Sequence, residues 1–281
     1  MHLPHSVFSR KQLDLFLWLL RANHVDSVPS AKTMTTLNKV LQGICGIETI
    51  PYDGRLGHRY YVNNLSQILA QEMCNPKVRP KLHFYAEETH PHLRETRQAD
   101  RWLKQVRAED TTPMVRLHKS DYYIYEPAML DNQAVCIPHR WFARDGKFLA
   151  KAWMLEQTLG DNNIPGWIVR RDREVEVHAD QFLKNFLELS QSFRLYGVPD
   201  PANIYGIRTN ASALQPWKYT NPVLGNQWHA RAKGHRVLCL PLWLYCDDTS
   251  GNTSKKWNEH NSFLFTLAGL CRYVSRFLAY L

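Results

Sequence analysis

Residues 237–246, VLCLPLWLYC, are apolar at odd and even positions alike, and the run ends on two carboxylates, Asp247 and Asp248. A strand in the middle of a covered sheet reads this way, because both of its faces meet a core. Pro241 removes one ladder hydrogen bond and predicts a bulge. NSFLFTLAGL, residues 261–270, reads as a second apolar strand, so the two predict a hairpin with the polar stretch 249–260 at its tip. Upstream the period is helical. Ser9 caps a predicted helix with Leu13, Phe16, Leu17 and Leu20 on one face. Ser30 caps a second with Met34, Leu37, Val40 and Leu41, ended by Gly43. Further helices are predicted over Asn64–Met73 and near Leu93–Val106, so the first 110 residues read as mostly helical. The link between the first two helices is longer than a helix-turn-helix uses, which favours plain helical packing.

From Thr111 the pattern alternates. MVRLHKSDYYIYEPAML predicts strand, turn, strand. AVCIPHRWFARDGKFLAKAWML predicts a hairpin turning at Asp145-Gly146, and GWIVRRDREVEV a third pair around Arg171–Arg173. Six or seven strands in about 65 residues predict a small antiparallel barrel or sandwich, closed by a helix over Ala179–Ser190. Residues 197–222 are rich in Pro, Gly and Asn and read as a linker or long ordered loop. The expected division is a helical region over 1–110, a β-rich unit over 111–192 and a third part over 193–281.

Composition supports a core: 44% of the 281 residues are hydrophobic and 22% charged. The net charge is +9, and +6 of it lies from Pro201 to Leu281, where nine Lys/Arg face three Asp/Glu. Such an excess suits a polyanion or a merely well-solvated surface. The six cysteines lack C-x-x-C spacing, and Cys136, Cys239 and Cys246 read as buried thiols, which suits a reducing compartment. The N-terminus lacks the pattern of a signal peptide and no apolar stretch is long enough to span a membrane, so a soluble intracellular protein is expected.

Asp247 and Asp248 are consecutive, so in a strand they take opposite faces. One can bind a metal while the other caps the following turn, or both simply begin the loop, since Asp-Thr-Ser-Gly is good turn chemistry. The functional reading is metal-assisted phosphoryl transfer, with Lys255, Lys256 and Trp257 on one side and Arg231, Lys233, His235 and Arg236 on the other meeting a DNA backbone. A second metal-capable group, His83, Glu87, Glu88, His90 and His92, lacks H-E-x-x-H pairing, holds Pro91, and reads as a surface loop entering a helix. The signatures of P-loop, dinucleotide-binding and α/β-hydrolase chemistry are missing.

The stretches GRLGHRYYVNNLSQILAQEMCNPKVRPKLHFYAEE, EPAML, CIPHRWF and LWLYCDDTSGNTSKKWNEHNSFLFTLAGL resemble proteins repeated in mushroom-forming fungi. Those are similar to transposases of the Kyakuja–Dileera–Zisupton group and, more distantly, of the CACTA group. The resemblance implies an α+β chain: helical region, antiparallel β-rich unit, then the first strands of an RNase H-like α/β core. It implies Asp247 as the first metal-binding and catalytic residue, with Asp248 the alternative. It further implies Mg as the cofactor of a complete core, double-stranded DNA as partner, self-association or assembly with full-length copies, and a nuclear location. Only 33 residues follow Asp248, and the last segment, CRYVSRFLAYL, holds no acid. The expectation is a truncated core, catalytically inactive alone, that retains DNA binding. The alternative is a domesticated protein- or chromatin-binding module without DNA chemistry.

Overall fold

The computed structural model describes residues 9–89, 92–160, 163–209, 213–250 and 259–270, and the chain divides into two units at Lys81/Leu82. In the first, α1 (Arg10–Ala22) starts at Ser9, whose side chain accepts from the Gln12 N–H while Gln12 reaches back, a capping box. Ser30 likewise caps α2 (Ala31–Cys45). Gly43 lies inside α2, and Gly46 ends it. An antiparallel hairpin, β1 (Thr49–Asp53) and β2 (Arg59–Asn63), then interrupts the helical reading. It leads into α3 (Leu65–Cys74), capped by Asn64. Leu17 is the buried residue of α1, whereas Phe16, Trp18, Leu37 and Val40 are exposed.

The second unit is mixed, with ladders of both directions. Its strands are β3 (Ala86–Glu88), β4 (Met114–Leu117), β5 (Ser120–Tyr123), β6 (Ala128–Leu130), β7 (Val135–Arg144), β8 (Lys147–Leu159) and β9 (Pro165–His178). They are followed by β10 (Phe182–Lys184), α4 (Phe186–Ser192), β11 (Ile204–Arg208), α5 (Trp228–Ala232), β12 (Leu242–Ser250) and β13 (Glu259–Leu267). One seven-stranded sheet runs β10-β6-β7-β8-β9-β11. β3 pairs with the end of β7 that β6 leaves uncovered. The expectation is an antiparallel barrel or sandwich; among the described strands the path stays open at β10 and β11, and β3 and β11 join it parallel. β4 and β5 form a separate hairpin, as do β12 and β13.

Asp145 and Gly146 both take positive φ, +50° and +73°, as a two-residue turn twisted like its strands requires. Arg171–Arg173 makes no turn. Trp153 pairs with Glu174 and Met154 with Arg170, so three residues bulge out of the single strand β9. The predicted fourth helix is a 3-10 turn and a π turn over Arg101–Gln105. Arg140, buried in β7, donates to the carbonyls of Trp102 and Val106 that a continuing α-helix would have needed. The helix expected from Ala179 begins at Phe186, because residues 182–184 pair with β6 and Asn185 forms a capping box with Glu188. Asn185 also donates to the Asp121 carbonyl. Asn185→Ala should therefore lower stability by about 1 kcal/mol, read as a shifted urea midpoint at constant slope.

Alternation along β7 sends consecutive residues into different cores. Trp141 joins Ala150, Ala152, Val169 and Val177, whereas Phe142 packs with Leu149, Ala86, Trp102 and Leu103. A third cluster, of Met129, Val135, Trp167 and Leu189, holds α4 to the sheet.

Candidate nucleic-acid interface

Charge is segregated along the second unit. Residues 111–200 hold eleven Lys/Arg and twelve Asp/Glu. From Pro201 to Cys246 there are five Lys/Arg and no Asp or Glu. In the first stretch three of the seven arginines are matched: Arg116 with Asp121, Arg144 with Glu88 and Glu176, Arg170 with Glu156 and Asp172. In the second, Arg231, Lys233, His235 and Arg236 are exposed, and among the described residues none forms an ion pair. The Arg231 guanidinium lies 4.7 Å from the Trp228 ring centroid, an arrangement that keeps a cation presented over an aromatic face.

This basic segment is strapped to the sheet unit. Arg116 donates to the Gly234 carbonyl at 3.0 Å, and the Cys239 N–H donates to the Thr112 hydroxyl at 3.0 Å. The innermost tie is Glu126, which is only 2% exposed. Its Oε1 accepts from the Asn226 N–H at 2.5 Å and pairs with His229 Nε2 at 2.7 Å. Its Oε2 is buried and has no partner among the described residues. Asn226 Nδ2 also donates to the Ile124 carbonyl. Gly225 allows the approach: its φ is +72°, and a Cβ there would stand 2.4 Å from Glu126 Oε1.

Tyr125 turns the chain so that Glu126 goes inward. Its φ of +64° is unusual for a bulky residue, and several contacts hold it there. The Tyr125 N–H donates to the Pro138 carbonyl and its carbonyl accepts from Thr220. Its hydroxyl donates to Glu109, and its ring meets Tyr219 and Trp153. Burial first, and then the Glu109 carboxylate, push the Tyr125 phenol above its ordinary range. Strain of this sort concentrates at functional sites. The hydrogen bond to Glu126 raises His229 above the usual imidazole value, against the opposing effect of burial. On β7, burial holds His139 down to about 4, although Glu174 at 3.0 Å pulls the other way.

Asp247 and Asp248 occupy consecutive register positions of β12, opposite Ser262 and Asn261 of β13. The expected hairpin is present, but the expected cover is not. β12 pairs only with β13 among the described strands, and Trp243, Leu244, Tyr245 and Cys246 are exposed. Cys246 is thus not a buried thiol, and Cys239 is only partly buried, while Cys136 is fully buried and its thiol is pushed up to about 12. Lys255, Lys256 and Trp257 lie outside the described residues. Two Mg²⁺ ions need acidic side chains converging from several strands. Among the described residues no group of three or more His, Cys, Asp or Glu could hold a metal.

The second metal-capable group is taken up differently. Glu87 and Glu88 lie in β3, not in a surface loop, and they engage Arg97 and Arg144. His90 lies outside the described residues. Sequence reasoning missed Tyr125, Glu126 and His229. Their signal was an acid set among apolar residues, IYEPAML, within a stretch that carries the resemblance.

The second unit is therefore an electrically balanced α+β module carrying a basic, carboxylate-free strap. Residues 114–238 match the profile of a family described as Domain of unknown function (DUF8591), a span that starts with β4 and ends two residues beyond Arg236. No curated protein and no solved structure matches the chain. Among the described residues no helix is long and apolar enough to cross a membrane.

Proposed function

We propose that the chain is a transposase-derived, nuclear DNA-binding protein. The strap at 208–236 contacts duplex phosphates, and β12 with Asp247 is the opening strand of an RNase H-like core. Mg belongs to that core when complete, and self-association with full-length copies belongs to the same reading. The observation that carries the proposal is the run of exposed cations, Arg231, Lys233 and Arg236, in a stretch of 46 residues without a carboxylate. Cations already matched by carboxylates gain little from phosphate. These are unmatched and keep their full attraction.

The test is anisotropy titration of a random 20-bp duplex across a salt series. Three to five phosphate contacts give a log–log slope of about −3 to −4.5. A slope shallower than about −1 would leave the second reading, a protein- or chromatin-binding module. That alternative draws on β12, where Trp243, Leu244 and Tyr245 present apolar surface of the kind protein partners cover.

A further inference from the structure

Resting on that DNA-binding reading, we infer that Glu126 is the positioning residue of the interface: its buried carboxylate, acting through His229 and Asn226, sets the orientation of the cationic turn 231–236. Glu126 lies between β5 and β6 and bonds residues a hundred positions later, at both the entry of α5 and its second residue. It contributes no charge to the surface, being 97% removed from solvent at its side chain. A carboxylate buried this deeply is costly unless its oxygens are satisfied. Oε1 is satisfied only by the strap, and Oε2 has no donor among the described residues, so the strap is what compensates the charge. Arg231, Lys233, His235 and Arg236 follow within seven residues of His229.

The groups facing His229 are Glu126, Asp121 of β5 and the Tyr123 ring, with Arg116 of β4 bonded to Asp121. The first two favour the charged imidazole. A histidine whose folded pKa is raised contributes stability that is complete below its unfolded value, near 6.5, and is lost as pH rises through the folded value. The strap should therefore loosen toward alkaline pH. A neutral His229 still donates a hydrogen bond but no longer balances the buried charge.

The test compares wild type with Glu126→Gln, using the random 20-bp duplex and hydrogen exchange of residues 226–236. The substitution removes a negative charge, so a purely electrostatic role predicts equal or tighter binding. Positioning predicts binding roughly 10-fold weaker at 50 mM salt, with a slope shallower by about 2 to 3. It also predicts that exchange of 226–236, corrected for its intrinsic pH dependence, rises about 10-fold per pKa unit in wild type and loses that pH dependence in the variant. Tighter binding with an unchanged slope, or an exchange profile that Glu126→Gln does not move, overturns the inference. If the variant fails to fold, exchange of 226–236 in wild type decides it: a corrected rate that rises with pH supports the inference and a corrected rate independent of pH overturns it. Wild type that fails to bind the duplex sinks the DNA-binding reading, whereas the exchange measurement tests the tie to Glu126 by itself.

Discussion

Trp141→Ala is expected to lower the unfolding free energy of the second unit by about 3–5 kcal/mol, the usual range for emptying a large aromatic site. Trp141 is 2% exposed, sits in the middle of β7, and meets Phe182 of β10 with ring centroids 5.1 Å apart. It therefore bridges strands that do not neighbour each other in the ladder order. Its indole N–H is buried without an acceptor among the described residues. A phenyl ring keeps most of the volume and gives up no hydrogen bond, so Trp141→Phe should cost roughly half as much or less. Urea denaturation followed by circular dichroism separates the two variants. A loss below about 1 kcal/mol for Trp141→Ala would mean that this face of the sheet is not closely packed.

The second large effect concerns binding. Reversing Arg231, Lys233 and Arg236 together to Glu should weaken duplex binding by roughly 10²- to 10³-fold at 50 mM salt and flatten the salt slope by about 2.7, three contacts at 0.9 each. All three are exposed, and none forms an ion pair among the described residues, so the fold loses little. Surface changes of this kind usually stay within about 0.5 kcal/mol. Lys147→Glu, at the β7–β8 turn, changes the charge in the same sense away from the strap and should have a much smaller effect. The triple reversal changes the charge by −6 and Lys147→Glu by −2, so a logarithmic loss about one third as large from Lys147→Glu would point to net charge alone rather than to a localised interface.

Local chemistry was well encoded. Ser9 and Ser30 announce helix starts because a hydroxyl satisfies a backbone N–H three residues on. Asp145-Gly146 announces a turn because few residue pairs accept two positive φ values. Where distant partners decide, the pattern misled. RRDR looks like a turn, yet β8 and β11 flank β9 and hold it as one strand with a bulge. The apolar run at 237–246 states a need for cover, not its presence, and β12 has only β13 beside it among the described strands. The candidate interface was half legible. Its cations stand in one basic cluster, but the carboxylate that anchors them is a hundred residues away, where no local period can reveal it.

That same separation carries a consequence for how the protein is made. Synthesis runs from the N-terminus, so β4 through β10 can pair before residue 226 has been added. Until then Glu126 lacks the donors of the strap that satisfy its buried oxygen. The tie between Glu126 and the strap closes late, because its contacts have high sequence separation and form slowly. A nascent or partly folded chain would display its lysines and arginines as a loose polycation, attractive to any polyanion nearby. Only the finished unit would hold them in a fixed array, so any discrimination among nucleic acids would come with the completion of folding.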